Sequence, residues 1–275
     1  MRWRIRTAVT LLSAIAAGVL ALDSSKAWSD SATDWHPGKN QILAAAIILF
    51  ISILYNLADA QLEKKRAQRR DGISVAVSEI LFPLWYEVFK LSGNQRAQEE
   101  LGVHVWLVPT WYGIVSRHHS IRRLTRHRFH DRSWIPPLWR AAQFRLTHPE
   151  GPTGIDWKRG KGAIGCCWRS RASRHFDMSS LWGTAELDRS TWDSLDEDEK
   201  LGFSHREYQR IFRKYGSVLV VPIFRPRHGS NPQFMGCVAI DQPPGTGMIN
   251  LNQQIVKGKA SAVSDHIGDA VERIL

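Results

Sequence analysis

Cysteine is scarce in this chain of 275 residues: there are three, and Cys166 and Cys167 are adjacent. An odd number of cysteines, two of them neighbours, does not form a disulfide framework. Tetrahedral zinc sites usually space their ligands by two or more residues, so the pair is also a poor start for a metal site. The composition therefore favours a reducing compartment and predicts no metal.

Arrangements of side chains typical of enzymes are also missing. No Ser-His-Asp order and no carboxylate pair stands out, and the eleven histidines are not spaced as metal ligands. Acidic residues number 26 against 37 basic ones, giving a net charge of +11. Such an excess predicts an anionic partner, either acidic lipid headgroups, an acidic protein or nucleic acid. Nucleic acid is the least favoured of these, since no known nucleic-acid module is recognisable.

What the sequence does contain is two long apolar runs within its first 60 residues, about 7–22 and 41–59. A membrane-spanning helix needs about 20 mostly apolar residues, which the second run supplies. The first run is short and spans only if its Arg and Trp flanks reach the interface. An alternative is a cleavable signal peptide ending near Ser25-Lys26-Ala27. We favour two retained transmembrane helices, so that residues 1–60 form a multi-pass membrane anchor.

The charges around the second run predict its orientation. Five basic residues follow it closely: Lys64, Lys65, Arg66, Arg69 and Arg70. The loop between the runs, 23–40, has two lysines against three aspartates. Because positive charge marks the cytoplasmic side, the rest of the chain is predicted to lie in the cytoplasm, at a bacterial inner membrane. The five basic side chains are predicted to contact anionic lipid headgroups.

The remainder reads as a juxtamembrane helix, 61–92, followed by a soluble domain, 93–275. Pro83 is expected to kink or divide the helix, whose apolar stripe comprises Ile73, Val77, Ile80, Leu81, Leu84 and Val88. Strands are predicted at 101–109, 139–147, 217–224 and 233–241. A first middle helix is predicted over 190–200, a second from the capping box at Ser204–Glu207 to near Tyr215, and a final helix at 250–275. This order predicts an α+β fold with an antiparallel sheet, its first and last helices together on one face.

Three motifs in this order resemble a GAF domain, the small-molecule-binding sensory module of signalling proteins. Gly160-Lys-Gly-Ala-Ile-Gly165 resembles the turn in which a GAF strand enters a short helix. Tyr215-Gly-Ser-Val-Leu-Val-Val-Pro-Ile223 resembles the penultimate strand, and Phe234-Met-Gly-Cys-Val-Ala-Ile-Asp241 the last strand. The glycine turn lies in mid-domain without a parallel repeat, so it does not indicate a dinucleotide site.

The resemblance implies a ligand between the sheet and the middle segment. The aromatic side chains expected to line that pocket are Trp168, Trp182, Trp192, Phe203 and Tyr208. The alternative is that they fill the core under a long insertion. The ligand and any cofactor stay unidentified.

The cysteines are candidates for redox sensing. Cys166 and Cys167 are expected to open a helix, whose dipole with Lys161 and Arg169 would favour thiolate. Cys237, on the last strand, could pair with them, although the favoured interpretation is that Cys166 or Cys167, together with Cys237, are small core residues. One GAF-related enzyme class, the free methionine sulfoxide reductases, places a cysteine where this chain has Ile164. That departure argues against this enzyme.

The basic stretch Arg117–Arg132 is interpreted as a solvated loop facing the anionic membrane. Together these observations predict a non-enzymatic, membrane-anchored sensory or regulatory protein. Its GAF-like domain would bind a small molecule or sense redox state, signal to a separate protein and dimerise through its terminal helices. The alternatives are a ligand-free docking platform for a cytoplasmic protein and a thiol-based redox enzyme.

Overall fold

The computed structural model describes residues 13–17, 39–91, 95–108, 138–147, 154–183, 185–212, 214–225, 232–245 and 249–274. The chain forms two compact units, Met1–Lys65 and Arg66–Leu275. In the first unit residues 13–17 are helical. The rest of the first apolar run, 7–22, and the whole basic stretch 117–132 lie outside the described residues.

One long helix, α1, runs from Lys39 to Lys90 and contains the second apolar run. Among the described residues it is the one helix long and apolar enough to cross a membrane, judged by length and composition. Large apolar side chains such as Leu43, Phe50 and Ile51 are exposed along it. Exposure of this kind is expected for a lipid-facing helix and costs free energy in water.

The helix is not divided at Pro83, where a division was one of the two expectations. Proline removes one backbone hydrogen bond in a helix interior. Here the neighbouring Leu81, Leu84 and Trp85 are all buried in the core, so their packing keeps the helix continuous past the missing hydrogen bond. The apolar run 41–59 and most of the predicted juxtamembrane helix 61–92 lie within this one helix.

The second unit is built on a five-stranded antiparallel sheet. Its strands are β1 (Gly102–Leu107), β2 (Trp139–Phe144), β3 (Arg174–Asp177), β4 (Ser217–Arg225) and β5 (Gln233–Gln242). The order across the sheet is β2-β1-β5-β4-β3. The predicted antiparallel sheet is confirmed. The edge strand β3 was not predicted, because its sequence Arg-His-Phe-Asp lacks the apolar alternation that identifies a strand.

The first face of the sheet is covered by α1 and by the last helix, α7 (Gln254–Ile274). The residues that α1 contributes to the core are Ile73, Val77, Leu81, Leu84, Trp85 and Val88. Those from α7 are Val256, Ala260, Ile267 and Val271. They pack on side chains of alternate strand positions such as Val103, Val105 and Leu219. The prediction that the first and last helices share one face is confirmed.

The second face carries the shorter elements. These are α3 (Gly162–Ser170), α4 (Met178–Trp182), α5 (Arg189–Ser194) and α6 (His205–Ile211); α2 (Gln95–Glu100) precedes β1. The Ser204 hydroxyl accepts from the Glu207 backbone N–H, and the Glu207 carboxylate accepts from the Ser204 backbone N–H, so the predicted capping box is confirmed. The helix expected over 190–200 ends earlier, at Ser194.

Gly236 on β5 is where the sheet tolerates no side chain. A Cβ at this position would overlap the Trp106 carbonyl oxygen and lie 2.9 Å from Leu107 Cα. We expect Gly236→Ala to lower the free energy of unfolding by about 1–3 kcal/mol or more, because backbone cannot move aside cheaply. The measurement is a urea titration of the full-length protein in detergent, followed by tryptophan fluorescence.

The matched control is Gly258→Ala on α7, where an added Cβ meets nothing within 4 Å. Alanine in a helix interior is expected to stabilise by about 0.4–1 kcal/mol. Equal effects of the two substitutions would contradict the packing described at Gly236.

Candidate functional site

The second sheet face is polar at the β2-β1-β5 end. Gly102 pairs with Asp241, and His104 pairs with Gln143 on one side and Ala239 on the other. Arg145 directly follows β2, beyond the pair of Val103 with Phe144. Because side chains two residues apart share a face, His104 and Trp106 point to the same side of β1. The register thus brings together polar side chains from three strands.

Three of these side chains form a buried ion cluster, here called the polar cluster: His104, Arg145 and Asp241. His104 Nε2 lies 2.7 Å from Asp241 Oδ2, and the Arg145 guanidinium donates to Asp241 Oδ1. Side-chain exposure is 9% for His104, 3% for Arg145 and 5% for Asp241. Charges withdrawn from water to this degree are tolerated only when paired and hydrogen-bonded.

The pairing decides the protonation state of Asp241. Burial alone would raise the pKa of its carboxyl, but the charges and hydrogen bonds of His104 and Arg145 outweigh burial and hold that pKa below its ordinary value of 3.8. Asp241 is therefore ionised at neutral pH. The nearby Tyr215 hydroxyl has a raised pKa, first because of burial and then because of the Asp241 charge.

Gly102 makes room for the ion pair. A Cβ built on Gly102 would overlap the guanidinium of Arg145, which crosses over this residue to reach Asp241. Glycine at this strand position is therefore explained by the close approach of the arginine rather than by backbone conformation.

The polar cluster and its neighbour Trp106 have unused hydrogen-bonding groups. Within the described residues, the buried side-chain atoms without a partner are His104 Nδ1, Trp106 Nε1 and Arg145 Nε. The Trp106 ring packs edge-on against Trp157, with ring centres 5.8 Å apart, and the Arg140 guanidinium lies 5.7 Å from its centre. Buried polar atoms are nearly always bonded in proteins, so three unpaired nitrogens on one sheet face indicate a partner that is not among the described residues.

The aromatic residues predicted to line a pocket are all buried. Four of them form one cluster: Trp192 stacks on Tyr208 with centres 4.5 Å apart, and Trp182 lies within 6.2 Å of Trp192, Phe203 and Tyr208. Trp168 is elsewhere, stacked on Phe234 at 5.9 Å. The four contact one another as in a packed core, and their role in ligand binding stays a prediction.

The three cysteines are buried and unlinked. Burial raises the pKa of Cys166 in spite of Arg169 and Arg174, raises that of Cys167 to about 12, and raises that of Cys237 well above its usual range. The expectation that the two cysteines open a helix is wrong, because α3 begins at Gly162 and both cysteines lie beyond its first turn. The expected thiolate is also opposed by burial, which costs the charged form more than the nearby arginines return.

These pKa directions predict unreactive thiols. In the folded full-length protein at pH 8 we expect iodoacetamide to modify Cys166, Cys167 and Cys237 at least tenfold more slowly than in the urea-unfolded chain, since only thiolate reacts. Mass spectrometry of intact protein over time gives both rates. Rapid labelling of Cys166 in the folded state would show a reactive thiol.

The basic residues after the apolar part of α1 are mostly solvent-facing. Lys64, Lys65, Arg69 and Arg70 are exposed and Arg66 is half-buried. Arg70 lies 3.8 Å from the neighbouring Asp71, both largely exposed. Their contact with lipid headgroups stays a prediction. Among the described residues no group of three or more His, Cys, Asp or Glu is placed to hold a metal ion.

The polar cluster was not anticipated from the sequence. The sequence features that could have indicated it are a lone histidine, His104, inside the apolar strand 101–109 and the acidic residue Asp241 at the end of the last strand. Comparison with known proteins adds no assignment, because no family model, no curated protein and no solved structure matches the chain.

Proposed function

We propose that this chain is a non-enzymatic, membrane-anchored sensory or regulatory protein whose GAF-like second unit binds a small molecule. The observation that carries the proposal is the set of three unpaired, buried nitrogens at His104, Trp106 and Arg145. A protein selected for stability alone would satisfy such atoms internally, because each unpaired buried group costs about 1–3 kcal/mol. A bound molecule would satisfy them.

Membrane anchoring is supported by α1. Its apolar part, around Leu43 to Leu57, has exposed aliphatic and aromatic side chains, and the exposed lysines and arginines follow it. We propose that the chain is multi-pass, with the first apolar run as a second span. By the positive-inside rule the second unit lies in the cytoplasm. The same helix continues into that unit's core, so it is the natural route by which ligand binding would be reported.

We also propose that the output partner is a separate protein and that the chain self-associates along α1. Val75, Phe82 and Tyr86 are exposed on this helix at spacings of seven and four residues. Such spacing is typical of a helix that packs against another helix.

The test uses the melting temperature of the full-length protein in detergent. Protein stripped of small molecules by extensive dialysis is expected to melt at a higher temperature when a protein-free extract of small molecules from the host cell is returned. A ligand at one hundred times its Kd stabilises by about 2.7 kcal/mol. A melting temperature unchanged by every fraction of the extract would contradict the sensor proposal.

The second candidate is a ligand-free docking platform. It is favoured by the tight mutual packing of Trp182, Trp192, Phe203 and Tyr208, which are the residues expected to line a pocket. The same melting experiment separates the two functions, because a docking platform gains nothing from small molecules. The buried thiols, all with raised pKa, give no support to a thiol enzyme.

A further inference from the structure

We infer that the outward face of α1 in the second unit is a parallel two-fold interface between two copies of this chain, and that Glu79 at its centre limits the affinity. The inference rests on the proposed function, from which it takes self-association along α1. It adds the register of the contact and the residue that controls its strength.

The outward face of α1 has a seven-residue repeat. Residues at alternating steps of four and three form one stripe, here called the outer stripe: Gln68, Gly72, Val75, Glu79, Phe82, Tyr86 and Phe89. All are exposed except Phe89, which is half-buried. This spacing keeps side chains on one side of a helix and is the spacing of the seam between two parallel helices. The core residues of α1 lie on the opposite side, against the sheet.

The outer stripe exposes a continuous apolar surface. Val75 is 60% exposed, Phe82 49% and Tyr86 44%. The Tyr86 ring stacks on Phe82 and on Phe89, with ring centres 6.4 Å and 6.5 Å apart, so the aromatic surface extends over two helical turns. Contiguous apolar surface of this kind marks a contact with another molecule.

The membrane anchor favours a second copy of the chain as that molecule. The proposed membrane span and the outer stripe belong to one helix, Lys39–Lys90. Two copies anchored in one bilayer therefore carry α1 into their second units in the same N-to-C direction. Two-fold symmetry then sets each stripe residue against its own counterpart, which is the arrangement that a seven-residue repeat supports.

Glu79 is an isolated charge in the middle of this stripe. It is the one charged residue between Asp71 and Glu87, and the nearest basic residues along α1 are Arg70 and Lys90. In the two-fold contact it faces Glu79 of the second copy, without a basic residue of α1 close enough to compensate. A polar residue at one seam position fixes register and oligomeric state at a cost in stability, and facing like charges add to that cost. Glu79 therefore keeps the contact weak and reversible.

The first experiment measures the dissociation constant of the dimer by sedimentation equilibrium of the full-length protein in detergent at pH 7.5. Glu79→Gln keeps the shape of an exposed side chain and removes its charge, so the fold should not change. We expect it to tighten self-association at least about tenfold, because the repulsion is removed. The matched control is Glu197→Gln between α5 and α6, where the side chain is 87% exposed. It should leave the dissociation constant unchanged.

The second experiment tests the register by mild oxidation of Val75→Cys in the same preparation. A two-fold contact brings the two copies of position 75 within reach of a disulfide, so we expect a cross-linked dimer on a non-reducing gel. The three native cysteines are buried and should not contribute. The control is Ile255→Cys on α7, an apolar side chain 53% exposed outside the stripe, which should give no cross-link.

Two results would overturn the inference: an unchanged or weaker dimer in Glu79→Gln, or cross-linking of Val75→Cys no better than that of Ile255→Cys. Both differ from failure of the proposed function. A chain that self-associates but gives either result keeps the proposed self-association and loses this interface. A chain that stays monomeric at every concentration loses both, and the melting experiment still decides ligand binding.

Discussion

Replacing Asp241 by asparagine is expected to lower the free energy of unfolding by about 3–5 kcal/mol at neutral pH. The substitution keeps the shape of the side chain and removes its charge. Arg145, only 3% exposed, then carries a buried positive charge without a counter-charge. The measurement is urea unfolding of the full-length protein in detergent.

The control is Glu272→Gln, which breaks the ion pair with Arg225 at the other end of the sheet. The two side chains approach to 2.9 Å but are 32% and 26% exposed. Water screens a pair of this exposure, so we expect a loss of no more than about 1 kcal/mol. Similar losses from Asp241→Asn and Glu272→Gln would contradict a cluster stabilised by burial and pairing.

The pH dependence of this difference follows from the direction of the Asp241 shift. Its pKa in the folded state lies below the ordinary 3.8, so its contribution is complete above that value and is lost as the pH falls through the folded pKa. Wild type and Asp241→Asn should therefore differ by a constant amount from about pH 5 upwards and converge below about pH 4. A difference that grows on acidification would contradict this sign.

Replacing Ile51 by lysine is expected to raise the free energy of membrane insertion of α1 by about 3–4 kcal/mol, or more than a hundredfold in the insertion equilibrium. Ile51 lies within the apolar part of α1, and its side chain is exposed. Lysine there would face hydrocarbon. The inserted fraction of segment 39–62 is measured in a microsomal glycosylation assay.

Leu62→Lys provides the comparison. Leu62 is also exposed on α1, but it is followed directly by Glu63 and the basic residues. A lysine at a helix end reaches the interface with its long side chain, so insertion should change little. Equal insertion of Ile51→Lys and wild type would show that α1 does not cross the membrane.

Much of the fold was accessible from the sequence because apolar runs and capping residues act locally. β4 and β5 are continuous apolar strands flanked by turn residues, and Ser204 with Glu207 identifies the start of α6. β3 was missed because four polar or half-buried residues form a strand only through pairing with β4. The apolar run 41–59 and the apolar stripe from Ile73 to Val88 were each predicted as helix, and both lie within the helix Lys39–Lys90.

The site could not be predicted in the same way. Arg145 and Asp241 are 96 residues apart in the chain, and they meet because β2 and β5 both pair with β1. Strand register is a property of the whole sheet, so no local pattern predicts it. The aromatic residues of the middle segment were predicted as a group, and four do come together, but in contact with one another.

The most direct test of the account is native mass spectrometry of the full-length protein purified from the membrane fraction in detergent. A small-molecule mass is expected to accompany the chain, to be lost on denaturation, to be depleted in Trp106→Phe and to be retained in Trp139→Phe. Trp106→Phe removes an unpaired donor, whereas the Trp139 side chain packs against the core of the first sheet face. A bare chain in every preparation, or a bound molecule retained equally in both variants, would contradict it.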